Sequence, residues 1–213
     1  MENLIYILFI SVFVPILLMA LLVEKKARLP IAFMLVGIFI SVFAAEINGV
    51  VQRWLGMQTF EFTITATPIT EEILKAIPIL VFAVLVSDKK ETLFTASMAT
   101  GVGFAVLENA YYLLNDTSFN MFDAVIRAFG TGLMHGMCTL LVGVGISFVK
   151  KRSKIFVVFT FALLSTAITY HGIYNMLVQS PYEVVGFLLP ILTYLPFLLW
   201  RMKLKIKKRK NEK

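Results

Sequence analysis

The sequence predicts an all-α integral membrane protein, built as a bundle of about seven transmembrane helices. Of its 213 residues, 59% are hydrophobic and only 15% are charged, and the mean hydropathy is +0.84. Apolar runs of about 20 residues, the length that spans a bilayer, recur along the chain. The connections between these runs are short, without internal repeats or low-complexity linkers. We therefore expect residues 1–200 to form a single polytopic domain.

Seven apolar runs are long enough to span a membrane. They cover residues 4–23, 30–50, 68–86, 92–114, 122–148, 154–178 and 183–200. No basic segment precedes the first run, so we interpret it as a helix and not as a cleavable signal peptide. The single cysteine, Cys138, lies inside an apolar run, which excludes a disulfide within the chain.

The basic residues predict the orientation of the bundle. Seventeen of the 20 Lys and Arg residues follow the first, third, fifth or seventh apolar run. The positive-inside rule then places the N-terminus outside and the C-terminus inside the cell. Residues 201–213 become a basic cytoplasmic tail, whose charge we attribute to topology and attraction to anionic lipid, with no nucleic acid as partner.

The segment TFEFTITAT, residues 59–67, alternates apolar and polar side chains. This period of two is typical of a β-strand and places a strand on the outer side, just before the third helix. Thr67 and Pro68 would then be the N-cap and the first residue of that helix. We hypothesise that the strand pairs with an extended substrate, contacting it through Phe62 and Ile64.

Ionisable side chains are unexpectedly frequent within or at the edges of the predicted spans. Near the centre of a bilayer, each costs about 2.5–3.5 kcal/mol unless it faces a partner or a water-filled cavity. They are Glu46, Glu71, Glu72, Lys75, Glu108, Arg127, His135 and His171.

These residues lie on different helices but at similar depths below the outer surface. At a rise of about 1.5 Å per residue, Glu72, Glu108 and His171 lie within a few Å of the same level below the outer surface. His135 lies nearer the midplane, and Glu46 falls at a comparable level. Taken singly, each has an ordinary explanation, such as an acid answering a helix dipole or a hydrogen-bonded buried histidine. The shared level instead predicts one polar site open to the outer face.

The charges and donor types at this level indicate hydrolytic chemistry. The spacing of Glu71 and Lys75 suits an i,i+4 ion pair, which would neutralise one glutamate. The remaining negative charge would be offset by bound protons or a divalent metal. Carboxylates and imidazoles together can activate water by general acid-base catalysis, or can bind zinc with an open position for water.

Two other classes of protein also use intramembrane acids and histidines. One is an ion- or proton-coupled transporter, and the other is a non-catalytic scaffold in a membrane complex. The chain shows no inverted repeat, and its polar residues gather at one depth instead of tracing a path across the bilayer. These features favour a hydrolase over a transporter. A scaffold would tolerate Glu72→Gln, whereas a protease would not.

Four motifs in order resemble the PrsW intramembrane proteases, within the superfamily of CAAX prenyl proteases and bacteriocin-processing enzymes. They are Glu71-Glu72-x-x-Lys75, Phe104-x-x-x-Glu108-Asn109, His135 in the next helix, and His171-x-x-x-Asn175. The resemblance covers residues 66–178, over half of the chain. The wider superfamily reads EExxxR and FxxxH. Here Lys75 comes one position earlier than that arginine and Glu108 replaces that histidine, which favours the PrsW branch and argues against a prenyl-protein substrate.

The resemblance implies a peptidase of the bacterial plasma membrane. Its substrate would be a single-pass membrane protein, for example an anti-sigma factor cut in a site-1 cleavage. By carry-over, Glu71 or Glu72 would activate water, and His171, Asn175 and His135 would stabilise the oxyanion. Supporting roles would fall to Lys75, Asn109, Asn175 and Glu46. Both zinc and no cofactor are compatible with the motifs. Glu108, His135 and His171 are the candidate metal ligands, and Glu108 could instead orient the site.

Overall fold

The computed structural model describes residues 4–115, 121–150 and 153–194, together with Pro196 and Leu199. All regular structure in these ranges is helical, which confirms the predicted all-α class. Seven helices follow one another: α1 Leu4–Leu22, α2 Lys25–Leu55, α3 Thr59–Leu85, α4 Lys90–Asn115, α5 Met121–Ile146, α6 Ser153–Val178 and α7 Glu183–Tyr194. The predicted basic tail, residues 201–213, lies outside the described residues.

Four of these helices are long and apolar enough to cross a membrane, namely α1, α2, α5 and α6. Helix α3 has 27 residues, but every stretch of it long enough to span contains Glu71, Glu72 and Lys75. The described part of α7 is shorter than a span. The chain is thus a membrane protein with several apolar helices, whereas seven spans and the orientation of the termini stay predictions.

Helices α2 to α6 alternate in direction. Phe33 near the start of α2 contacts Phe82 near the end of α3, and Thr131 early in α5 bonds to Tyr174 late in α6. One end of the bundle therefore gathers the end of α2, the start of α3 and the end of α4. The opposite end carries basic residues in the loops and at the helix starts, namely Lys25, Lys89, Lys90 and Lys150.

The predicted strand at residues 59–67 is wrong, because these residues form the first turns of α3. Thr67 and Pro68 consequently lie inside the helix and do not begin it. In an apolar environment a helix satisfies its backbone hydrogen bonds within one segment, whereas an isolated strand cannot. That requirement outweighs the β-branched and aromatic composition of the segment.

The end of α2 and the centre of α4 depend on glycines. Gly56 ends α2 in the left-handed region, with φ of 63°, and its N–H donates to the carbonyl of Gln52. At Gly101 in α4, an added Cβ would lie 2.2 Å from the carbonyl oxygen of His135 in α5. The absence of a side chain at Gly101 thus lets α4 approach the backbone of α5 directly at His135.

Replacing Gly101 by alanine should separate α4 from α5 and destabilise the bundle by about 1–3 kcal/mol, the usual cost of overpacking. Gly132→Ala in α5 is the matched control, because no atom of another described helix lies within 4 Å of the corresponding Cβ. There alanine should be neutral or stabilising, since it favours the helix. Melting temperatures in detergent would test the pair. Equal melting temperatures for the two variants would contradict the proposed contact.

Candidate active site

A buried ion pair on α3 forms the centre of the site. The Lys75 ammonium donates to Oε1 of Glu72 at 2.6 Å and to Nδ1 of His135 at 2.8 Å. All three side chains are buried. The predicted ion pair between Glu71 and Lys75 is wrong, because Lys75 pairs with Glu72. Glu71, about 100° further around the helix, faces α2 and a cavity instead.

The two histidines extend this centre in opposite directions. His171 donates from Nδ1 to Oε1 of Glu72 at 2.9 Å, since the carboxylate can only accept. In the neutral imidazole Nε2 would then carry a lone pair, 3.9 Å from Oε2 of Glu71. His135 accepts the Lys75 bond at Nδ1, so its Nε2 carries the proton and donates to Oε2 of Glu108 at 2.6 Å.

A cavity of about 600 Å³ reaches this cluster from one end of the bundle. Helices α1 to α4 line it, and Glu71 and Glu108 belong to its wall. Glu72, Lys75 and both histidines lie behind that wall, fully or almost fully buried. The site therefore has two carboxylates that face the cavity and a hydrogen-bonded layer that supports them.

One face of α3 provides much of the cavity wall. The lining residues Thr59, Thr63, Thr67 and Glu71 follow one another at intervals of four, which places them along a single side of the helix. This stripe leads from the mouth of the cavity to the catalytic candidates, so an extended ligand would meet hydroxyl groups before it reaches Glu71.

Glu71 has one satisfied and one unsatisfied oxygen. Asn48 on α2 donates from Nδ2 to its Oε1 at 3.3 Å, and the Thr70 hydroxyl donates to the side-chain oxygen of Asn48. Oε2 of Glu71, like Oε2 of Glu72, is buried and has no hydrogen-bond partner among the described residues. A buried carboxylate oxygen without a partner is costly, so this atom points to a water molecule or cation.

Other predicted residues lie around this cluster. Glu46 is exposed, lines the cavity and accepts a hydrogen bond from the Tyr6 hydroxyl of α1. Asn109 is buried, and its Oδ1 has no partner among the described residues. The Arg127 guanidinium lies over the Tyr112 ring, 4.3 Å from its centroid.

Asn175 and the two predicted substrate contacts serve the helix–helix packing of α3. Asn175 donates to the carbonyl of Thr63 at 2.9 Å, so it ties α6 to the start of α3. Phe62 is buried and borders the cavity. Ile64 is half-buried, and its carbonyl approaches Gly172 of α6. The substrate-binding roles of Phe62 and Ile64 stay predictions.

Sequence reasoning missed Asn48 and Thr70, and it did not assign a contact to Phe104. The Phe104 ring lies 4.6 Å from the Lys75 nitrogen and 4.8 Å from the centre of the His135 ring. In the sequence, Asn48 differs from its surroundings only in being a polar residue within an apolar run. Its partner on α3 could not be predicted from sequence spacing.

Three side chains could hold a metal ion. Glu71, His135 and His171 each offer one ligand atom, and these atoms lie within 4.8 Å of one another. The unpaired Oε2 of Glu71 and the lone pair on Nε2 of His171 fit this use directly. His135 fits only after an exchange of partners, because Lys75 and Glu108 occupy its nitrogens. The set differs from the predicted one in containing Glu71 instead of Glu108.

The charges of the cluster also suit a cation. Glu71, Glu72 and Glu108 supply three carboxylates, and Lys75 supplies one ammonium. With both histidines neutral, these four side chains carry a net charge of −2, which the nearby Arg127 guanidinium offsets in part. Because buried charge without compensation is strongly unfavourable, a divalent cation or bound protons would stabilise it.

Comparison with protein families agrees with this geometry. The model of the PrsW family of intramembrane metalloproteases matches residues 25–201. Neither a curated protein nor a solved structure matches the chain. The match covers most of the sequence and every site residue that the sequence predicted. The chain therefore belongs to the PrsW family of intramembrane metalloproteases.

Proposed function

We propose that the protein is an intramembrane endopeptidase of the bacterial plasma membrane, which hydrolyses a peptide bond in a single-pass membrane protein such as an anti-sigma factor. One observation carries this proposal. Oε2 of Glu71, in the cavity wall, and Nε2 of a neutral His171, behind that wall, are two hydrogen-bond acceptors 3.9 Å apart.

These acceptors would share a water molecule once the side chains around the buried Oε2 move to admit it. A water bonded at about 2.8 Å to each acceptor would point both of its protons at them and its lone pairs away. Glu71 would accept one proton as the water oxygen attacks the peptide carbonyl, which is general base catalysis. Glu72 would act through His171, because its bond to Nδ1 keeps the Nε2 lone pair directed at the water.

The pair of His135 and Glu108 would serve the other side of the scissile bond. The proton on Nε2 of His135, which donates to Glu108, could stabilise the developing oxyanion once the substrate oxygen replaces that carboxylate. The oxyanion role expected of Asn175 has less support, because its amide already donates to Thr63. Glu71 would return its proton to the leaving amine.

Glu71 and His171 would hold a metal ion in this site, with His135 as the third ligand if it exchanges its partners. When bound, such an ion would supply Lewis acidity to the carbonyl and would acidify a water molecule. The bond between Glu72 and His171 would then orient a ligand, as carboxylates do in metal–histidine pairs.

The cavity would admit the substrate from the extracytoplasmic side. It opens at the end of the bundle opposite Lys25, Lys89, Lys90 and Lys150, and basic loops favour the cytoplasmic side. Entry from the extracytoplasmic side requires the N-terminus to lie outside the cell, and this orientation is part of the proposal.

Site-directed cross-linking would test whether the cavity receives the substrate. We expect a single-pass substrate to cross-link to Tyr111→Cys, which lines the cavity, and not to Ile173→Cys on α6. The two native side chains have similar exposure, 38% and 42%, so accessibility alone would label both. The natural Cys138 is buried and should stay silent. Equal cross-linking at both positions would argue against the cavity as the substrate site.

A further inference from the structure

Lys75 has no place in the hydrolytic steps above, yet it is completely buried at their centre. Its ammonium contacts three groups: Oε1 of Glu72, Nδ1 of His135 and the face of the Phe104 ring. An ammonium has three N–H donors and no acceptor, so these contacts use its capacity fully. A lysine that only neutralised Glu72 would not need to reach a second helix.

We propose that Lys75 is a positioning residue that holds His135 as the tautomer protonated at Nε2 and withholds this ring from metal coordination. The inference rests on the proposed function for its catalytic meaning, but its structural content is separate. Lys75 would thereby determine which ring nitrogen of His135 carries the proton and donates a hydrogen bond behind the cavity wall.

The donor and acceptor roles of the partners of His135 determine its tautomer. Lys75 can only donate, so Nδ1 of His135 must accept and cannot carry a proton. A neutral imidazole then carries its proton on Nε2, where Glu108 accepts it at 2.6 Å. Histidine tautomers are set in this way by the bond that the other ring nitrogen makes. The cation thus fixes a proton on the far side of the ring, next to the cavity.

The same bonds bear on metal binding. A histidine that binds a metal through one nitrogen usually donates its other N–H to a carboxylate or carbonyl. His171 has this arrangement, with Nδ1 donating to Glu72 and Nε2 directed at Glu71. His135 has the opposite one, because a cation occupies Nδ1 and the proton occupies Nε2. Glu71 and His171 are therefore the ligands that this arrangement leaves available, and His135 remains a hydrogen-bond donor.

Histidine ¹⁵N NMR of the full chain in nanodiscs would test the tautomer directly. The sequence has two histidines, so the spectrum is simple. We expect His135 to show one protonated nitrogen, Nε2, and an unprotonated Nδ1. A proton on Nδ1 of His135 in the wild-type protein would overturn the proposal. Zn²⁺ is the probe for coordination. Adding it should leave the Nε2 proton of His135 in place, and loss of that proton would also overturn the proposal.

Substitution separates this role from simple structural support. In Lys75→Met/Glu72→Gln, both partners of the ion pair are neutral, which avoids leaving one buried charge alone. Because the Glu108 carboxylate also accepts from Nε2, we make this double variant in a Glu108→Gln background, whose amide can donate or accept. There His135 should keep its Nε2 proton while Lys75 is present and should populate both tautomers in the double variant. Lys90→Met is the matched control, since Lys90 also lies over a phenylalanine ring, Phe148, but at the other end of the bundle. It should leave the His135 spectrum unchanged. An unchanged tautomer in the double variant would mean that Lys75 does not select it.

These spectra also distinguish this inference from the proposed function. If the protein shows the predicted tautomer but cleaves no substrate, the role of Lys75 stands and the proposed peptidase activity is wrong. Cleavage by a protein whose His135 is protonated at Nδ1 would do the reverse.

Discussion

Replacing Glu71 by glutamine should lower the rate of substrate cleavage by about 10²–10⁴-fold, the range of general acid-base catalysis. Glutamine keeps the size of the side chain and can still accept the Asn48 hydrogen bond through its carbonyl oxygen. It removes the carboxylate oxygen that has no partner and cannot take a proton from water. Initial rates in proteoliposomes would measure the effect.

Two comparisons make the Glu71 result specific. Glu91→Gln alters an exposed glutamate in the first turn of α4 and should cleave at the wild-type rate. The melting temperature of Glu71→Gln should stay close to that of the wild-type protein, because its packing is retained. Wild-type cleavage by a folded Glu71→Gln variant would remove Glu71 from the mechanism.

Replacing Glu72 by alanine should destabilise the protein by about 3–5 kcal/mol, the cost of removing one partner of a buried ion pair. Neither Glu72 nor Lys75 is exposed, so water cannot replace the lost carboxylate. His171 would lose its Nδ1 acceptor at the same time. Chemical denaturation in detergent, compared with the wild-type protein, would give the change in unfolding free energy.

The double variant Lys75→Met/Glu72→Gln provides the control for this stability prediction. Replacing both members of a buried pair by neutral groups of similar volume is often close to neutral. We therefore expect it to be more stable than Glu72→Ala, although it carries one more substitution. Equal stability of Glu72→Ala and the wild-type protein would show that the ion pair contributes little to folding.

The helices could be predicted from the sequence because lipid and the protein interior both require a long apolar run to satisfy its own backbone hydrogen bonds. A run of about 20 apolar residues has few alternatives to a helix. The strand predicted for residues 59–67 was wrong because two sequence periods coexist in this segment. Its apolar residues alternate as in a strand, but Thr59, Thr63, Thr67 and Glu71 repeat at intervals of four. The second period was the correct one.

The site was predictable in its members but only partly in its bonds. Glu72, Glu108 and His171 were expected at one level, with His135 nearer the midplane, and hydrogen bonds join all four through Lys75. The partner of Lys75 was assigned incorrectly, because i,i+3 and i,i+4 spacings are both close on a helix and only tertiary packing chooses between them.

The contact of Asn48 with Glu71 depends on how α2 packs against α3, which no local pattern encodes. The number of spans stays open for a related reason. Helix α3 carries in its middle the charges that make the site, so its composition no longer distinguishes a membrane helix from a buried polar one.

The most direct test is to compare purified wild-type protein and Glu71→Gln on one panel of single-pass membrane substrates, and to measure bound metal in the same samples. The account predicts that the wild-type protein yields two fragments whose masses together equal the substrate plus one water, and that Glu71→Gln leaves the substrate intact. Stoichiometric metal, with cleavage lost on chelation, would assign Glu71 and His171 a ligand role; cleavage without metal would assign Glu71 the role of sole base. Intact substrate with both proteins, or the same fragments from both, would contradict the account.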